Sequence, residues 1–157
     1  MNKHYLHILL LSVLLFFCAC SRNTVFSEYK HISHNSWSAD SIVCFNFAIA
    51  DTLSAYDIIL SIRHTEQYPY QNMWLFVSDN STTYGTAADT IEFYLADDRG
   101  RWLGNGYGDL HEMPVLYRQH TTFHTADTIC IALQQAMRET SLKGISDVGL
   151  KIVKSIE

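Results

Sequence analysis

The chain has 157 residues, 48% of them hydrophobic, and sets 11 Lys and Arg against 16 Asp and Glu for a formal net charge of −5. That is enough chain for one domain with one core. The acidic balance argues against a surface that binds nucleic acid or an anionic membrane through clustered Lys and Arg.

The first element is an export signal. Lys3 supplies a positive charge, and residues 6–17 form an apolar run broken only by His7 and Ser12. The run falls short of the about 20 apolar residues that cross a bilayer, but it suits the hydrophobic region of a secretory signal. Phe17, Cys18, Ala19 and Cys20 follow, and they resemble a bacterial lipobox, with the small Ala19 before the cysteine that receives the lipid and Phe17 where such boxes usually have leucine. The reading is a signal peptide over 1–19 and acylation of Cys20; the plainer alternative is an ordinary cleaved signal with an incidental cysteine. Each buried lipid methylene contributes about 0.8 kcal/mol, so several acyl chains on Cys20 give durable attachment to membrane lipid. No later apolar run reaches spanning length. Residues 20–38 read as a lipidated tether and 39–157 as the folded domain. Without residues 1–19 the chain loses Lys3 alone among its charges, leaving 10 basic and 16 acidic residues. Cys44 and Cys130 remain for the body, and export permits either a bridge between them or two separately buried thiols.

The body reads as strands. Ala-Asp-Ser/Thr-Ile recurs at residues 39–42, 88–91 and 126–129, at spacings too unequal for a structural repeat. Asp and Ser/Thr end a turn and the β-branched Ile begins a strand. Residues 42–49 alternate, with Val43, Phe45, Phe47 and Ile49 on one face. Further strands are expected over 56–63, 73–78, 91–96, 100–103, 115–118, 128–133 and 148–153, with a short helix over 134–140. About eight short strands punctuated by Asp, Asn, Gly and Ser predict an all-β fold, an antiparallel, jelly-roll-like β-sandwich.

The segment with most glycine, DRGRWLGNGYGD, matches no phosphate-binding pattern, because Gly104, Gly106 and Gly108 alternate and no helix follows. Asp97, Asp98, Arg99 and Gly100 read as a tight turn, and Trp102 as either a core cap or a stacking platform. His120 and His124 stand four apart, but the Thr-rich sequence between them favours strand or loop, and the glutamate of a zinc protease is missing. His31 with His34, and His111 with Glu112, are loose loop pairs. The acidic pairs Asp97/Asp98 and Asp109/Glu112 are no better than chance, and no nucleophile motif is present. The chain is therefore read as non-enzymatic, with no metal or cofactor. The loop before the third strand is different: Tyr68, Tyr70 and Trp74 crowd around Pro69. That much aromatic area must be buried against the domain or shown to a partner, and proline lowers the ordering cost of binding.

Four pieces together resemble the GldH family of gliding motility lipoproteins: the lipobox at Cys20, YPYQNMWLFV over 68–77, DTIEFYLADDRGRWLGNGYGD over 89–109, and QAMRETSLKGISDVGLKIVK over 135–154. The resemblance implies a non-enzymatic envelope lipoprotein acting in movement over surfaces, in a system linked to secretion of adhesins. It brings Cys20 as the one residue of defined chemical role. Residues 21–25 lack the acidic cluster that accompanies surface export of such lipoproteins, which favours the periplasmic side. The leading expectation is an interaction or scaffold protein with Tyr68, Tyr70 and Trp102 as hot spots; the alternative is a carbohydrate-binding lipoprotein of a glycan-uptake system, using Trp74 or Trp102.

Overall fold

The computed structural model describes residues 23–82, 85–124 and 128–156, with side chains described except over 80–82 and 85–87. The expected signal peptide and Cys20 lie outside the described residues. Eleven strands occur there: β1 (Thr24–His31), β2 (Ser36–Ser38), β3 (Val43–Phe47), β4 (Tyr56–Thr65), β5 (Asn72–Thr82), β6 (Gly85–Tyr94), β7 (Asn105–Tyr107), β8 (Leu110–Thr121), β9 (Ile129–Gln135), β10 (Ser141–Lys143) and β11 (Ile145–Lys154). They build an antiparallel five-stranded sheet, β1-β11-β4-β8-β7, a four-stranded sheet, β3-β9-β5-β6, and a small ribbon, β10-β2.

Alternation makes the sandwich. On β3, Val43, Phe45 and Phe47 are buried, and on β9 Ile129, Ile131 and Leu133. Register pairs these directly, Val43 with Leu133 and Phe47 with Ile129. From the five-stranded sheet, Ile58, Leu60 and Ile62 of β4 and Val148, Leu150 and Ile152 of β11 face them across the core. Full burial of each such side chain contributes roughly 1.5–3 kcal/mol.

The sandwich has two distinct ends. At one, Thr24 pairs with Val153, Lys154 with Tyr56, and Tyr56 with Thr121. Phe123 closes this N-terminal end, its ring 5.9 Å from that of Phe47 and 5.7 Å from that of Tyr56. At the far end lie His31, Thr65, Leu110 and Ile145. There the β10-β2 ribbon inserts Trp37 and Leu142, both fully buried, and the Trp37 indole donates to the Ser41 carbonyl at 2.9 Å.

Four expectations are corrected. Residues 24–38 are not free tether: β1 is an edge strand of the five-stranded sheet and β2 half of the ribbon. Residues 134–140 form no helix, because Gln135 completes β9 and its side chain then ties down the turn, accepting from the Met137 N–H at 2.9 Å and donating to the Glu139 carbonyl at 2.7 Å. Residues 100–103 contribute only an isolated bridge between Trp102 and Ala96. The Ala-Asp-Thr-Ile tetrapeptide at 88–91 lies inside β6, where Arg118 from the opposite sheet pairs with Asp89 at 2.6 Å. The other two expectations of the tetrapeptide hold at Val43 and Ile129. Cys44 and Cys130, left open by the sequence, are joined in a disulfide between β3 and β9, Cα atoms 6.4 Å apart.

Candidate functional site: an aromatic surface at the far end

The turn at residues 66–71 carries the chain from β4 to β5 and sorts its aromatics. Tyr68 points inward, 2% exposed, and its hydroxyl donates to the Asn72 carbonyl at 2.7 Å. Burial raises its pKa. It belongs to the core and drops out of the set of contact residues. Trp102 is half-buried and also turns inward, its ring 4.5 Å from that of His64 and 5.9 Å from that of His111. Gly100, at φ 76°, closes the turn that aims it, with the Asp97 carboxylate accepting from the Arg99 and Arg101 N–H groups at 2.9 Å.

Pro69 and Trp74 remain exposed, and Tyr70 is half-buried at the edge of the core. Tyr70 stacks edge-on against Tyr68 at 5.9 Å, and its hydroxyl donates to Glu139 at 2.7 Å, an anionic partner that raises its pKa. Trp74 projects from the outer face of β5. Its backbone is held on both sides, by the Ala136 N–H donating to its carbonyl at 2.9 Å and by its own N–H donating to the Met137 sulfur at 3.4 Å. Tyr70, Asn72, Trp74, Met137, Arg138 and Glu139 enclose a concavity of about 580 Å³.

The surface continues beyond that concavity through residues the sequence reading did not single out. Phe76 and Tyr94 stand on the same outer face as Trp74, since β5 and β6 pair Asn72 with Tyr94, Trp74 with Glu92 and Phe76 with Thr90. Trp74, Phe76 and Tyr94 are 37%, 49% and 58% exposed. The signal was present in the sequence: MWLFV has apolar residues on both faces of the strand, which is more than one core requires.

Among the described residues, no three His, Cys, Asp or Glu side chains converge as metal ligands. His120 is placed by its backbone N–H, which donates to Asp57 at 3.0 Å. His64 and His111 instead stack at 5.5 Å, opposite one another on β4 and β8.

The family profile described as GldH lipoprotein matches residues 24–152, nearly all of the described chain. The chain belongs to the GldH lipoprotein family. It is 33% identical over 152 residues to the gliding motility lipoprotein GldH of Flavobacterium johnsoniae, covering 92% of this chain and 93% of the relative. It is 32% identical over 149 residues to a gliding motility lipoprotein GldH homolog of Christiangramia forsetii, covering 90% and 91%. Among solved structures, the infectious bursal disease virus VP2 subviral particle is similar over 83% of this chain and only 33% of that chain, with a TM-score of 0.35 and 12% identity, too distant to bear on fold or role. In this GldH-family chain the segment over 68–77 forms the aromatic turn and most of β5, the segment over 89–109 the end of β6 and the hairpin strand β7, and the segment over 135–154 the ribbon strand β10 and β11.

Proposed function

We propose that this chain is an acylated, non-enzymatic lipoprotein acting in gliding motility, anchored in the cell envelope through Cys20 on the periplasmic side, and that its far-end aromatic surface holds a protein of the motility or secretion machinery. The observation that carries the reading is the exposure of Trp74, Phe76 and Tyr94 together on one uncovered sheet face. A folded domain leaves such a patch for a partner, and aromatic residues dominate interface energetics. The names of both relatives supply the motility setting. The lipid confines the search for a partner to two dimensions and raises effective concentration.

The test is photocrosslinking in native membranes. A photoreactive residue at Tyr94 is expected to capture a motility or secretion component, the same residue at Leu116 on the opposite sheet is not, and Trp74→Ala with Phe76→Ala abolishes capture in folded protein. Equal capture from Tyr94 and Leu116, or capture untouched by the double substitution, overturns the assignment of the face. A second reading, glycan binding, is favoured by the concavity beside Trp74, where an indole lies among Asn72, Arg138 and Glu139. Saturable quenching of Trp74 emission by oligosaccharides, absent in Trp74→Phe, would support it.

A further inference from the structure

The anchor and the folded body are closer together than the sequence suggests. Only Ser21, Arg22 and Asn23 separate Cys20 from Thr24, the first residue of β1. Four virtual bonds of about 3.6 Å keep the start of the sandwich within about 14 Å of the acylated residue. Whatever surrounds Thr24 therefore stands at the bilayer.

Three exposed aliphatic residues surround it: Leu53 at 95%, Ile156 at 79% and Val25 at 42%. Backbone bonds hold their segments beside the chain start, the Lys154 N–H donating to the Asn23 carbonyl at 2.8 Å and the Ser155 N–H to the Ala55 carbonyl at 3.0 Å. Leu53 is displayed rather than loose. The Asp51 carboxylate accepts from the Leu53 and Ser54 N–H groups at 3.1 and 3.2 Å, fixing a turn with the leucine at its apex. Of the charges nearby among the described residues, Lys154 pairs with Asp51 at 2.6 Å, while Asp57 keeps its charge and accepts from Ser155 Oγ at 2.6 Å and from the His120 N–H at 3.0 Å. A paired charge loses less on leaving water than a free one, so this end combines projecting aliphatics with a rim in which the Lys154 and Asp51 charges cancel.

We propose that the N-terminal end of the sandwich rests on the bilayer, with Leu53 and Ile156 entering the lipid interface and Val25 at its edge. This contact rests on the reading of Cys20 as the acylated anchor. It orients the molecule, pointing Trp74, Phe76 and Tyr94 away from the membrane.

The test uses the full acylated chain in phosphatidylcholine vesicles with and without brominated acyl chains, which quench indole at contact. The native Trp37, Trp74 and Trp102 belong to the far half and give a constant background. Leu53→Trp and Ile156→Trp are expected to lose most of their added emission in brominated vesicles, whereas Tyr107→Trp, in the far-end hairpin, keeps its own. Acylated protein in which positions 53 and 156 behave like position 107 overturns the contact and leaves the anchor intact. An intact mass without acyl groups on Cys20 overturns the anchor, and the contact with it.

Discussion

Gly149 lacks a side chain for a reason visible on the outer face of the five-stranded sheet. A Cβ there would stand 2.5 Å from the ring of Tyr29. That ring carries the Arg63 guanidinium 3.7 Å from its centroid, and the Tyr29 hydroxyl donates to Glu112 at 2.5 Å while Arg63 Nε donates to its other oxygen at 2.8 Å. Burial pushes the Glu112 carboxyl up, but the Tyr29 and Arg63 hydrogen bonds outweigh it and hold the group below its usual range. One tyrosine thus fastens β1, β11, β4 and β8. Gly149→Ala is expected to cost about 1–3 kcal/mol through overpacking, measured by urea denaturation, and much less in a Tyr29→Ala background; equal cost in both would exclude the ring as the cause. His64 makes a second residue-scale prediction. Burial lowers its pKa from the ordinary 6.5, with His111 adding to the effect. The unfolded chain therefore binds the proton more readily than the folded one. The His64 contribution is complete above pH 6.5 and is lost as pH falls from there through the folded value. A thermal midpoint that declines on acidification through this window, and declines less in His64→Phe, is the expected result.

At the scale of elements, legibility followed the strength of alternation. β3, β9 and β11 stood out because a face packed on the core demands period two, and the turn at 97–100 because Asp and Gly meet its geometry. β1 escaped notice because TVFSEYKH sets Phe26 on the core side in line with the charged Glu28 and Lys30, while Tyr29 lies on the outer face, so no clean apolar stripe appears. β2 and β10, three residues each, are too short to show a period. Gln134 to Thr140 has helical composition, yet Gln135 spends its side chain on the turn, a tertiary choice that propensity cannot register. The candidate aromatic surface was half legible: crowding around Pro69 drew attention to the turn at its edge, but which aromatics face out depends on strand register, which sent Tyr68 in and added Phe76 and Tyr94. The disulfide likewise depends on pairing. It encloses a loop of 86 residues in sequence separation, for which removal of a bridge costs ~2–4 kcal/mol. Cys44→Ser with Cys130→Ser should lower the urea midpoint accordingly and make it insensitive to reductant.

For the whole molecule, the boundary of the body moves to the start of β1. A chain beginning at residue 39 loses β1, Trp37 and the ribbon, and leaves β11 as an open edge, a template for intermolecular pairing. Such a chain is expected to aggregate, while one beginning at residue 23 sediments as a folded species; a soluble, cooperative domain from residue 39 would refute the importance assigned to β1. Exposed aliphatics at one end and the aromatic surface at the other would, on the bilayer contact proposed above, make the sandwich a spacer as well as a platform.

The pairing of Thr24 with Val153 has a kinetic meaning. During synthesis the first of the described strands emerges earliest, yet its sheet neighbour is the last of them, so nearly all of the described chain must appear before that seam can close. With Cys20 acylated as proposed, β1 spends that interval beside a lipid surface with its backbone unpaired, a period of exposure that favours chaperone protection. On that proposal acylation precedes completion of the sheet, and maturation of the anchor and maturation of the fold become separable events in time.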